Sequence, residues 1–159
     1  MITNPPRLTI RSLAFASIIA ALYIALTLLF APISYGQIQF RISEALTLLP
    51  VISQASIPGL FVGCFISNIF GGSIIDAVFG SLASLLAAIL TRRLREKLWL
   101  AALMPVLINA VVISLVLWYT SGLHPLISIL TVGAGQAVVC YLLGVPMVKL
   151  MQNRGIELA

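Results

Sequence analysis

Charge is what this sequence lacks. Only 8% of its 159 residues are Asp, Glu, Lys or Arg, against about 25% in soluble domains. A soluble ball of this size cannot cover its surface with so few charges. Soluble enzymes and nucleic-acid-binding domains are therefore excluded. Cysteine is scarce too. Cys64 and Cys140 lie inside apolar runs, and a disulfide framework needs more cysteines than this, so both read as buried free thiols. The single histidine, His124, leaves no paired-histidine metal site, and no metal or cofactor is expected. No Walker A loop, HExxH or GxSxG occurs, so the chain offers no catalytic motif and no phosphate cradle of that kind. Any active pumping must draw its energy from another subunit. What is present is apolar: 61% hydrophobic residues and a mean hydropathy of +1.16. Such content excludes disorder and points to one integral membrane domain over 1–159.

The uncharged windows are 12–40, 45–75, 77–91 and 98–148. About 20 apolar residues cross the roughly 30 Å of hydrocarbon as a helix. Ser12–Ala31 is one such span, and it is longer than a signal-peptide core. The last window breaks at the turn-like run from Thr120 to Pro125, leaving Trp99–Tyr119 and Leu126–Val148. Ile74–Leu90 is a further span, ending in the basic run 92–97. The stretch 43–70 divides at Pro50, the polar run 53–56 and Pro58, into short helices over about Ser43–Ile52 and Ile57–Phe70. If both cross, there are six spans with both termini cytoplasmic. Arg7, Arg11, Arg92, Arg93, Arg95, Lys97, Lys149 and Arg154 then share the inner side, with Arg41 alone outside. That asymmetry is what the positive-inside rule expects. The net charge of +5 is then topological and needs no nucleic acid. The expected fold is all-α, a polytopic bundle of six transmembrane helices in the cell membrane. Two helices too short to cross unaided imply a sheltered cavity beside them.

The remaining polar groups gather on the external half. Glu44 and Asp76 fall at external helix ends under this topology, and Asn68 ends the third span. Gln37, Gln39 and Arg41 alternate with apolar residues, which puts them on one face of an extended strand. Asn109 and Gln136 sit near mid-membrane by residue count, and Trp118 closes span five. Ionisable groups at such depth are functional candidates. Plainer roles compete. Glu44 can pair with Arg41, Ser73 to Asp76 has capping-box spacing, Asn109 and Gln136 can tie helices together, and Trp118 suits an interfacial belt. Span one carries Ser17, Ala21 and Ala25 four residues apart, with Ala16 and Ala20 beside them. Such small-residue stripes permit close approach of another helix, either within the bundle or from a second membrane protein.

Four segments in order carry a resemblance: 39–47 (QFRISEALT), 57–63 (IPGLFVG), 68–72 (NIFGG) and 76–83 (DAVFGSLA), with Gly144-Val145-Pro146 near the end. Together they resemble the QueT family, substrate-binding S components of energy-coupling factor (ECF) transporters. The resemblance implies six helices and a cavity open to the outside. It also implies docking, through a small-residue motif in helix one, onto a module of one transmembrane coupling protein and two ATPases. Here that motif is Ala16/Ala20 or the overlapping Ser17/Ala21. The implied substrate is a queuosine precursor, an aminomethyl-deazaguanine base; the polar groups read above that are expected to hold it are Gln39, Arg41, Glu44, Asn68, Asp76, Asn109, Trp118 and Gln136. The resemblance leads one to expect an acid near Gln136, where this chain has an amide. Amides and carboxylates suit the donor and acceptor edge of such a ring, and Trp118 could stack on it. Other readings are an S component for a different vitamin-like solute, a membrane enzyme acting on a lipid, and a structural subunit. The enzyme would want clustered acids or a nucleophile–base pair, and a structural subunit leaves Asn109, Gln136 and Asp76 as unexplained costs.

Overall fold

A computed structural model describes residues 9–35 and 39–155. Arg7 and Gln37, which enter the charge and strand readings above, lie outside them. The described residues are helical, with no strand among them. Seven α-helices occur in order: α1 (Ile10–Leu29), α2 (Ala31–Ser34), α3 (Ser56–Gly71), α4 (Ser81–Arg93), α5 (Leu98–Ser121), α6 (Pro125–Val139) and α7 (Val145–Asn153). A 3₁₀ helix, Ile42–Val51, lies between α2 and α3. A π-helical turn, Asp76–Gly80, leads into α4, and a second, Cys140–Gly144, joins α6 to α7. Three rods are long and apolar enough to cross a membrane: Ile10–Leu29, Leu98–Ser121 and Pro125–Asn153. The molecule is thus a bundle with the character of a membrane protein, turned apolar side out. Leu13, Ile18 and Leu22 of α1, Leu107, Val111 and Leu115 of α5, and Leu126, Ile127 and Leu130 of α6 are all exposed. In water such faces would be an aggregation hazard; against lipid they are solvated.

The break in 43–70 falls where Pro50, Ser53 and Pro58 suggest it, with helix ends at Val51 and Ser56. The first piece differs from an α-helix. It is a ten-residue 3₁₀ helix, although runs beyond three or four residues are uncommon. Three residues per turn place Arg41, Glu44 and Thr47 in one row. All but one of its residues are buried, and Leu48 and Val51 pack against Ala101, Ala102 and Val148. Leu46 and Leu49 pack on the other side with Ile19, Tyr23 and Leu60. This element is therefore the axis around which the other helices close. Its end is pinned by Arg92, whose Nη1 donates to the carbonyls of Pro50 and Val51 at 3.1 Å each.

Close approach of α1 and α3 rests on small residues. A Cβ added at Gly59 would run into the carbonyl oxygen of Ala16, and one at Gly63 would lie 2.8 Å from the Cβ of Tyr23. Ala16 and Ala20 are accordingly buried inside the bundle, whereas Ser17, Ala21 and Ala25 face outward. The two stripes read together in the sequence separate here. The Ala16/Ala20 stripe packs internally against α3, which corrects its assignment to partner docking. Only the Ser17/Ala21/Ala25 stripe is free on the outside.

The expected strand through Gln37, Gln39 and Arg41 is also corrected. Gln39 has φ +45°, outside the extended region, and Phe40 N–H donates back to the Ile33 carbonyl at 2.9 Å. Before it, Tyr35 is tied to the bundle by its hydroxyl, which donates to the Ser67 carbonyl at 2.6 Å.

Candidate functional site

Glu44 is 2% exposed and has three donors directed at its carboxylate. Tyr23 Oη donates to Oε1 at 2.5 Å. Gln136 Nε2 donates to Oε2 at 2.8 Å, and Asn109 Nδ2 reaches the same oxygen at a long 3.4 Å. Four elements converge on one group: α1, the 3₁₀ helix, α5 and α6. A buried acid in an apolar bundle is tolerable only when so bonded. Glu44 is thus an acid that meets the Gln136 amide in space. The sequence places Glu44 at an external helix end; in the fold its side chain is buried. Below it, Thr47 Oγ1 donates to the Glu44 carbonyl at 2.6 Å. On α1, Thr27 Oγ1 lies 2.7 Å from Ser43 Oγ and donates to the Tyr23 carbonyl.

Glu44, Asn109 and Gln136 line a cavity of about 250 Å³, counted with its open mouth. Gln39, Arg41 and Ser84 complete its polar lining, with Gly80, Ile113 and Val132 as walls. Arg41 is buried, its Nε donating to the Ser34 carbonyl at 3.2 Å and its guanidinium lying 5.1 Å from the Tyr35 ring centre. Among the described residues it makes no ion pair with Glu44. The alternative role of that pair, a local helix contact, is therefore not used. The two charges face one cavity and do not meet.

The other expected site residues lie elsewhere. Ser73 caps the start of the turn that holds Asp76: Asp76 N–H donates to Ser73 Oγ at 3.1 Å, and Ser73 Oγ donates to Asp76 Oδ2 at 2.9 Å. Asp76 does not line the cavity, although its Oδ1 is buried without a partner. Asn68 is fully buried and donates to the Asp76 carbonyl at 3.1 Å. It stands behind the cavity wall, where a Cβ on Gly80 would come within 2.9 Å of its Nδ2. Trp118 is 56% exposed on the outer surface and takes no part in the lining. It therefore does not stack over this cavity, contrary to the expectation from the sequence. Tyr23 was not singled out by sequence. Its signal was the shared face of Ala16, Ala20, Tyr23 and Thr27, spaced four, three and four apart.

The QueT transporter family matches this chain over residues 13–153. The chain belongs to the QueT transporter family. Among curated proteins, it is 39% identical over 71 residues to the queuosine precursor transporter QueT of Lactococcus lactis subsp. cremoris (strain MG1363). That alignment covers 43% of this chain and 42% of the relative's length. No solved structure matches significantly. In this QueT-family chain the Glu44 cluster gathers hydrogen-bonding groups from four separate helices inside an apolar bundle.

Proposed function

We propose that this chain is the membrane-embedded S component of an ECF-type importer, capturing a queuosine precursor, an aminomethyl-deazaguanine base, from outside the cell. The observation that carries the reading is the cavity lined by Glu44, Asn109, Gln136 and Arg41 within an apolar bundle. A deazaguanine ring offers a carbonyl acceptor and N–H donors, which these groups complement. The chain does no covalent chemistry. It binds the base and hands it to a coupling protein with two ATPases, which supply the energy. Recovering the base by mass spectrometry from the purified subunit tests this, and a different bound solute would overturn the substrate assignment.

Six crossings with cytoplasmic termini in the cell membrane belong to the same proposal. Six helical rods support it: α1, the 3₁₀ helix, α3, the Asp76–Arg93 rod, α5 and the Pro125–Asn153 rod. The Arg92 bonds to Pro50 and Val51 bring the 52–55 and 94–97 connections to one face. Single cysteines at Gln54 and Glu96 are expected to label from the cytoplasm, and one at Ser121 from outside. Labelling of Gln54 from outside would refute the crossing of the 3₁₀ helix.

Docking falls to the outward stripe Ser17, Ala21 and Ala25. Ala21→Leu is expected to leave base affinity unchanged and to reduce co-purification with the module at least about tenfold, because a bulky side chain prevents close backbone approach. Retained assembly would move docking elsewhere. Asp76→Asn is expected to shift base affinity less than about threefold, since an amide also caps. A tenfold loss in titration calorimetry would place Asp76 in the site.

A further inference from the structure

The lining holds more information than its polarity. Glu44 can only accept, so the amide nitrogens of Asn109 and Gln136 must turn toward it. That orientation sends Asn109 Oδ1 the other way, and it is left buried with no partner. Asn109 is 3% exposed and lines the cavity, so the orphaned oxygen is a standing demand for a donor. An unpaired buried acceptor loses its hydration without recompense. Glu44 has a similar reserve. A carboxylate offers about four lone-pair sites, three are occupied, and one of those by the long 3.4 Å contact.

Arg41 supplies the opposite polarity. Its Nε and its flat face are engaged by Ser34 and Tyr35, while its terminal nitrogens have no hydrogen-bond partner among the described residues. It stands one 3₁₀ turn from Glu44, about 6 Å along the axis, and Glu44 N–H bonds to its carbonyl at 3.1 Å. The cavity therefore presents a donor, a carboxylate acceptor and an amide acceptor among its lining groups.

We propose that the cavity reads one edge of its ligand, a carbonyl followed by a ring N–H and an exocyclic amine, through Arg41, Glu44 and Asn109 Oδ1 in turn. This rests on the transport reading above and deepens it: the ring edge, not the aminomethyl group, is the principal anchor. Glu44 is then committed to the ring, and Asn109 sets selectivity for the exocyclic amine. A base with the carbonyl but without that amine leaves Asn109 Oδ1 unpaired.

Titration of the purified subunit with three probes tests this: 7-aminomethyl-7-deazaguanine, its analogue lacking the 2-amino group, and 7-deazaguanine lacking the aminomethyl group. Loss of the 2-amino group is expected to weaken binding at least about tenfold, and loss of the aminomethyl group by less. Asn109→Leu is expected to bring the first ratio near one, whereas Arg41→Gln weakens both amino-bearing and amino-free bases alike. A merely structural role for Asn109 would lower both affinities and leave the ratio intact, which would overturn the assignment. Where Asn109→Leu fails to fold, the wild-type ratios decide. If removing the aminomethyl group abolishes binding while removing the 2-amino group changes it less than threefold, Glu44 holds the ammonium and the edge assignment is wrong, though the transport reading stands. If none of the three binds, the transport reading itself falls, and this inference with it.

Discussion

Glu44→Gln is expected to weaken binding of the deazaguanine base at least about a hundredfold, or about 2.7 kcal/mol. The change is nearly isosteric, yet it strikes the group on which α1, α5 and α6 converge. An amide in place of the carboxylate removes the charge. It also sets one NH₂ group against the donors of Tyr23, Gln136 and Asn109, so that at least one contact is lost. Truncating one partner of a buried charged contact usually costs 2–5 kcal/mol or more. Calorimetry checks the affinity, and thermal unfolding in detergent checks that the variant is folded. An affinity within threefold of the wild type, in a folded variant, would remove Glu44 from the site.

The second large effect is structural. Gly59→Val is expected to destabilise the chain by about 3 kcal/mol or more, at the upper end of overpacking penalties. The obstruction is the carbonyl of Ala16, which is backbone and cannot rotate aside. Separating α1 from α3 also carries Tyr23 away from Glu44, so binding should fall with stability. Gly133→Ala is the control. There an added Cβ would meet only the Ala110 Cβ at 3.4 Å, an ordinary contact, and removing a helical glycine favours the helix by up to about 1 kcal/mol. Thermal unfolding of the two variants side by side should move in opposite directions or leave Gly133→Ala unchanged. Equal losses would mean that the α1–α3 contact at Gly59 does not govern the result.

The rods were legible because lipid imposes long uncharged windows. Trp99–Tyr119 lies within the observed Leu98–Ser121, and the division of 43–70 followed from two prolines around a polar run. The hydrogen-bond pattern of Ile42–Val51 was not legible. Ten residues buried on nearly every side carry no amphipathic period to distinguish three residues per turn from 3.6. Depth misled for the same kind of reason. Counting along a helix places Glu44 near its outer end, and only the tertiary packing shows that Tyr23, Asn109 and Gln136 enclose its carboxylate. Asn109 and Gln136 stood out because amides are conspicuous in apolar spans. Tyr23 did not, since a tyrosine in a span reads as an aromatic until its hydroxyl partner is known. Asp76 and Trp118 followed their plainer roles, a cap and an exposed ring.

Isothermal titration of the purified wild-type subunit with 7-aminomethyl-7-deazaguanine is the most direct test of the capture of this base by the Glu44 cavity. The expected result is saturable binding at one site per chain, lost in Glu44→Gln and kept in Asp76→Asn. Absence of saturable binding to the folded wild-type protein, or binding that survives Glu44→Gln undiminished, would contradict it.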